Sequence, residues 1–311
     1  MRKLKNLIHM IAAQPRYVGM RSVARFRIVR YVVTKGRELF YRKKTRTTLT
    51  YYEKLIPDSY FSKVNLSSFT NDLNANGIAF GLALPKTIVT EIKNWATQEL
   101  CYAFRNPLYG FHASKRNAAE AALGKPILLA QYFNTAKNCE AINQLLKDPA
   151  ILWIATKYLG SPPTFVGANL WWTFPVPASD EDRSKHAHLY HKDVDDFKFF
   201  KFFFYLTDVP AEEGAHVCIV GSHTAPPRIN ASDFWRLRRY SDTEIHNEYQ
   251  QHQITEICGP AGLGFAENTL CVHKGSTPKT KPRLLLQLQF ALFDYRVMHD
   301  EIKPEQLHQV V

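Results

Sequence analysis

His191, Asp193 and His273 are residue types and spacings that could hold one metal ion between them. The stretch 186–196 reads HAHLYHKDVDD, three histidines within six residues and then three aspartates within four. If 186–193 is a strand, side chains alternate faces. His186, His188, Tyr190 and Lys192 then share one face, and Ala187, Leu189, His191 and Asp193 the other. Residues two apart stand about 6.5–7 Å from each other and point the same way. An imidazole and a carboxylate in that relation both reach an ion at about 2.0–2.2 Å. His188 has no acid two residues on and cannot make the pair. His273, 82 residues after His191 at the end of a strand-like run, offers the third ligand. A His, Asp, His set on one face of an octahedral ion is the facial pattern of non-haem Fe(II) sites. It leaves three positions for a cosubstrate and O2. Arg283 opens the apolar run RLLLQLQFALF, where a guanidinium suits bidentate capture of a carboxylate.

The elements that must position these residues are legible in outline. PKTIVTEIKNWATQEL (85–100) reads as a helix started by Pro85, with Ile88, Ile92 and Trp95 on one face. DPAILWIATKYLG (148–160) reads as another, capped by Asp148, with Pro149 in the first turn and Gly160 at the stop. After Pro163 the texture changes to strands: TFVGANLWWTF, HAHLYHKD, FKFFKFFFYLTDV, HVCIVG, HQITEIC, LGFAENTLCVH and RLLLQLQFALF, separated by turn-rich pieces. Closely connected β runs of this kind predict a sandwich or jelly roll in a mainly β, α+β chain. The 311 residues, 45% hydrophobic and 13% aromatic, suffice for one large core.

In this order and spacing, the residues resemble the Fe(II)/2-oxoglutarate-dependent dioxygenases, most closely the phytanoyl-CoA dioxygenase-like family. The resemblance rests on His191-Lys192-Asp193, on FFFYLTDVPAEEGAHVCIVGSH, and on HKGSTPKTKPR from His273 to Arg283; it covers roughly Thr164 to Phe293. It implies a double-stranded β-helix (jelly roll, cupin-like) with Fe(II) on His191, Asp193 and His273. It also implies 2-oxoglutarate chelating the metal, with its far carboxylate on Arg283. Oxidative decarboxylation would release succinate and CO2, and O2 would be spent on a bound substrate. Relatives that halogenate have lost the carboxylate that Asp193 supplies here, so its presence favours hydroxylation, desaturation or another oxidation.

Around this set the residues divide into candidates and framework. By parity Asn169, Trp171 and Thr173 share a face that could line the cosubstrate pocket, although the tryptophans also suit core packing. Many family members carry a lysine at this strand end, where this chain has Thr173 or Phe174. The partner of the metal-proximal carboxylate is therefore open. Lys201, mid-strand among phenylalanines, is a candidate because it must snorkel or find an anion. His186 and His188 face away from the expected metal, Asp195 reads as a strand-end or turn residue, and Asp196 as a local hydrogen-bonder. His216 and Cys218 read as packing, and His223 in GSH as a turn residue after Gly221. An insert at 226–251 reads as lid-like, and its Arg236, Arg238 and Arg239 could meet an anionic substrate or lie on a solvated helix.

Charge is concentrated at the beginning of the chain. Residues 1–46 carry 14 Lys/Arg and one acid, Glu38, leaving 26 bases and 27 acids for the other 265 residues of this +12 chain. Leu4, Leu7, Ile8 and Ile11 fall at helical spacing beside Arg2, Lys3 and Lys5. This basic amphipathic segment suits an anionic membrane surface, an organelle presequence, or packing on a single catalytic domain over 47–311. Nucleic acid is not an expected partner. No apolar run is long enough to span a bilayer. Five cysteines without a CxxC pair predict reduced thiols and a cytoplasmic setting. The expected substrate is a small molecule or one linked to lipid or glycan. Two other readings differ in chemistry: a non-catalytic jelly-roll module docked by its basic arm, and a cupin-like enzyme that uses the triad without 2-oxoglutarate.

Overall fold

The computed structural model describes residues 14–177, 179–229, 237–298 and 300–311. The expected apolar positions Leu4, Leu7, Ile8 and Ile11, and Arg236 of the insert, lie outside the described residues. In chain order the strands are β1 (Ile78–Ala83), β2 (Leu100–Ala103), β3 (Gly110–His112), β4 (Leu129–Tyr132), β5 (Thr164–Thr173), β6 (Phe199–Tyr205), β7 (His216–Ile219), β8 (Ile254–Ile257), β9 (Leu263–Glu267), β10 (His273–Gly275) and β11 (Arg283–Ala291). Eight form one sheet in the order β1-β9-β6-β11-β5-β4-β2-β3, and β10-β7-β8 form a second. All of these pairings are antiparallel.

Alternation along the central strands separates a core face from a cavity face. On β6, Phe200, Phe202 and Phe204 are fully buried in the main core, while Lys201, Phe203 and Tyr205 turn to the other side. On β11, Leu284, Leu286, Leu288 and Phe290 join that core; Arg283, Leu285, Gln287 and Gln289 line a cavity. On β5, Ala168 and Leu170 go to the core and Asn169 and Trp171 to the cavity. Each fully buried phenylalanine contributes about 2 kcal/mol, so the register of these strands is strongly specified. The second sheet lies on the cavity side, where Cys218 and Ile257 cluster with Trp171, Phe203 and Leu285.

Helices cover the core face, except that the first of them packs instead on the loops around Val194 and Val297. They are α1 (Pro15–Val23), α2 (Arg27–Leu55), α3 (Leu66–Asn76), α4 (Lys86–Gln98), α5 (Arg116–Leu123), α6 (Thr135–Asn138), α7 (Glu140–Lys147) and α8 (Pro149–Leu159), with α9 (Asp180–Lys185) and α10 (Asp242–Glu248) in the later connections. Helix α8 begins as its sequence predicts: Asp148 accepts from Ala150 N (2.9 Å) and Ile151 N (3.2 Å), and Gly160 ends it at φ 71°. Helix α2 runs unbroken through residue 46. It is tied to the α8 region by Thr45 Oγ1 donating to Gly160 O (3.2 Å) and by Trp153 Nε1 donating to Glu53 (3.2 Å).

The expected strand over 186–193 does not form. Ser179 caps α9, which consumes the chain to Lys185; Ala187 then takes a left-handed φ of 63°. Only isolated bridges remain, Tyr190 to Tyr240 and His191 to His273. Short strands β1 to β4, too brief for a clear alternation, are additions that the sequence pattern did not signal.

Candidate metal centre

His191 and His273 are locked to each other through their backbones. His191 N donates to His273 O and His273 N to His191 O, both at 2.9 Å, and Asp193 N donates to Thr269 O at 2.8 Å. Residues 191 and 193 therefore turn alternate N–H groups toward the same segment, so their side chains leave on one side. The pairing of His191 with Asp193 thus holds for two residues although the long strand is absent.

Each histidine is further fixed by its own ring. His191 Nδ1 lies 3.0 Å from Leu189 O, and His273 Nδ1 lies 2.9 Å from Cys271 O. A carbonyl oxygen only accepts, so both Nδ1 atoms carry a proton, and Nε2 is the ring nitrogen left to face a ligand. Those Nε2 atoms stand 3.7 and 3.6 Å from the Asp193 carboxylate. The three ligand atoms lie within 4.8 Å of one another. Burial, then the neighbouring His273, holds the His191 pKa well below its usual value. A neutral imidazole with its lone pair aimed at a carboxylate is the state a divalent cation requires. The donor set fits a His, Asp, His metal centre.

Lys201 sits where a cation is already needed. Its Nζ lies 2.6 Å from Asp193 Oδ2 and 3.6 Å from Asp195 Oδ2. Desolvation pushes the Asp193 pKa up, but the Lys201 charge, hydrogen-bonded to it, outweighs burial, and the carboxyl lies far below its ordinary range. The anion that Lys201 finds is therefore Asp193 itself. Behind His273, Glu267 is fully buried and lies 2.6 Å from His216 Nε2 and 3.6 Å from His273 Nδ1.

Arg283 forms the far wall. Its Nη1 donates to Gly214 O and its Nη2 to Thr173 Oγ1 (3.1 Å), and its Nε is buried with no partner. A buried guanidinium with a donor left over matches an incoming carboxylate. Both groups open into a cavity of about 440 Å³, within the range of small-molecule sites.

The remaining candidates distribute as follows. Asn169, Trp171 and Lys201 line the cavity, and Thr173 reaches it through Arg283. His186 and His188, expected to face away, also line it, because the turn at Ala187 breaks the alternation. His188 Nδ1 lies 2.8 Å from Thr277 Oγ1. His216 lines the cavity rather than only packing, and so does Asp195, which accepts from Gln289 Nε2 at 3.2 Å. Burial lowers His186 to about 4 with Arg105 adding to the effect, and lowers His216 to about 3 with Arg283 adding. His223 stays outside the set, 3.3 Å from Asn74 O. Of the insert arginines, Arg239 lines the cavity and Arg238 pairs with Glu244 at 2.9 Å. Sequence reasoning missed Arg105, Gln131, Gln287 and Gln289 in the lining; Gln287 and Gln289 could have been found by extending the β11 parity from Arg283.

No protein-family model and no curated protein matches the chain. Among solved structures, it is similar to the epimerase SnoN in complex with Fe3+, alpha-ketoglutarate and nogalamycin RO, at 16% identity over 72% of this chain and 82% of that one, TM-score 0.49. It is also similar to HygX from Streptomyces hygroscopicus with nickel and 2-oxoglutarate bound, at 12% identity over 72% and 85%, TM-score 0.49. A third is AviO1 from Streptomyces viridochromogenes Tue57, at 11% identity over 73% and 95%, TM-score 0.48.

Proposed function

We propose that this chain is an Fe(II)/2-oxoglutarate-dependent oxygenase of the phytanoyl-CoA dioxygenase-like type, with a double-stranded β-helix core, that hydroxylates a small molecule. The observation that carries the reading is the pair of histidines whose Nδ1–H groups are held by the carbonyls two residues back. Both Nε2 atoms thereby face Asp193. His191, Asp193 and His273 would hold Fe(II). Arg283, steadied by Thr173 and Gly214, would hold the far carboxylate of 2-oxoglutarate, and Asn169, Trp171 and Lys201 would shape its pocket. Bound iron and 2-oxoglutarate supply O2 activation coupled to decarboxylation, with release of succinate and CO2. The chain's own contribution is positional: two imidazoles that present Nε2 to Asp193, an ionised Asp193, and a polar cavity against an aromatic core. In the family that the sequence resembles, loss of this carboxylate goes with halogenation, so the presence of Asp193 would favour hydroxylation. The C-terminal half of the 226–251 insert, through Arg239, would serve as part of a lid over this site.

The test is an anaerobic titration with Fe(II) and 2-oxoglutarate, then a succinate assay in air. A metal-to-ligand absorption band and succinate release are expected in the natural chain, and neither in His273→Ala. A natural chain that shows no band and no succinate sinks the reading. Arg283→Met separates it from a cupin-like enzyme: the 2-oxoglutarate requirement rises steeply here and is untouched there. We also assign the basic α2 helix to an anionic membrane surface, because it leaves Ile28, Tyr31, Val32 and Leu39 exposed between its arginines.

A further inference from the structure

The charges that line the cavity do not balance once the proposed cofactors are in place. Fe(II) and the dianion of 2-oxoglutarate cancel, and Lys201 and Arg283 cancel Asp193 and Asp195. Lys185, at the rim, has Glu181 at 2.7 Å. Arg105 and Arg239 are left over. Both line the cavity, and neither has a carboxylate within ion-pair distance among the described residues. Both feel the Asp193 charge, and the Arg239 charge opposes that of Arg105, so the two guanidiniums share one region near the metal ligands.

Arg105 is held there by an unfavourable turn. Asn106 N donates to Ala103 O at 3.0 Å, closing a turn whose central residues Phe104 and Arg105 have φ 57° and 58°. Positive φ at both positions favours Asn and Gly; a phenylalanine and an arginine there need another reason. Phe104 packs beside His186 (centroids 6.2 Å apart) with Lys125 Nζ 3.6 Å over its ring. It therefore anchors the turn beside the cavity, and its neighbour Arg105, itself exposed, contributes to the cavity lining. The same cavity is lined by Gln131, Gln287 and Asn169, whose amides suit hydroxyl groups more than an alkyl chain.

We propose that Arg105 and Arg239 recognise a dianionic phosphate monoester on a polar, hydroxyl-bearing substrate. Two guanidiniums without acidic partners match the charge and the several acceptor oxygens of a phosphate. The proposal deepens the oxygenase reading and rests on it for the charge balance.

The experiment is calorimetric titration of the full chain, loaded anaerobically with Fe(II) and 2-oxoglutarate, with inorganic phosphate and with acetate at matched ionic strength. Saturable phosphate binding, at least tenfold tighter than acetate, is expected. Arg105→Met and Arg239→Met should each weaken phosphate at least tenfold and leave 2-oxoglutarate affinity within twofold, with melting temperatures checked for each variant. Arg105→Lys, which keeps the charge, should recover part of the phosphate binding. Acetate binding as tightly as phosphate, or phosphate binding unchanged in both methionine variants, overturns the proposal. So does a loss of 2-oxoglutarate affinity in step with phosphate, which would assign the pair to the cosubstrate. The chelate band of the loaded chain distinguishes the two readings. Arginine-dependent phosphate binding by a chain that shows no chelate band when supplied with Fe(II) and 2-oxoglutarate would retain the phosphate site while the oxygenase reading fails.

Discussion

A methyl group placed on Gly275 would lie 3.3 Å from Arg283 Nη2 and 3.7 Å from Nη1. This gives a physical reason for glycine two residues after His273: the β10 backbone must come close to a guanidinium that is already pinned by Gly214 and Thr173. In Gly275→Ala the guanidinium has to give by a few tenths of an ångström. The KM for 2-oxoglutarate should rise about tenfold with kcat nearly unchanged, since uniform cosubstrate binding is what weakens. A drop in kcat with unchanged KM in steady-state assays would contradict that placement of the carboxylate. At this scale the sequence is informative where chemistry restricts residue type. His191, Asp193, His273 and Arg283 stand out because few other side chains could take their roles, and the structure brings them around one cavity. Arg105 and Glu267 do not stand out, because an arginine in a loop and a glutamate at a strand end are ordinary until their surroundings are known.

Elements were legible in proportion to their length and end signals. Helix α8 has Asp148, Pro149 and Gly160 at its ends, and β6 and β11 are long enough for their alternation to show. The stretch 186–193 misleads because its histidines alternate like a strand, whereas a capped helix and a left-handed Ala187 take the chain first. What stabilises the loop after the ligands is Asp196, fully buried, which accepts from Phe197 N (2.6 Å) and from Phe293 N (2.7 Å) just beyond β11. Burial raises its pKa to about 7, against the lowering effect of those N–H groups. The folded pKa thus lies above the unfolded one. The protonated carboxyl favours the fold below about pH 4, and this contribution is lost as pH rises toward 7, by up to about 4 kcal/mol. Asp196→Asn removes the ionisation. Urea denaturation between pH 4.5 and 8 should show the natural chain losing stability relative to the variant as pH rises. Parallel curves would mean that Asp196 does not titrate in this window.

At the scale of the whole molecule, the catalytic reading leaves the basic beginning of the chain unexplained. No helix among the described residues is long and apolar enough to cross a membrane, and α2 packs one side on the α8 region while its other side is exposed. Ile28, Tyr31, Val32 and Leu39 recur at i, i+3, i+4 and i+11, one face of the helix, and are 61–78% exposed; Phe40 beside them is 81% exposed. Arg27, Arg30, Arg42, Lys43, Lys44 and Arg46 lie on the same helix. Apolar side chains flanked by cations suit the headgroup boundary of an anionic bilayer. There each base near the surface adds about 1 kcal/mol and each apolar side chain adds its burial. A second copy of the chain would gain the apolar contact but meet the same positive charge, which disfavours it. The full chain should therefore co-sediment with phosphatidylserine-containing vesicles and not with pure phosphatidylcholine, and high salt should release it. Val32→Ser with Leu39→Ser should weaken binding about tenfold without lowering the melting temperature, because neither side chain is in the core. Equal sedimentation with both vesicle types would remove the charge argument. A concentration-dependent dimer that the double substitution dissolves would assign the apolar face to self-association instead.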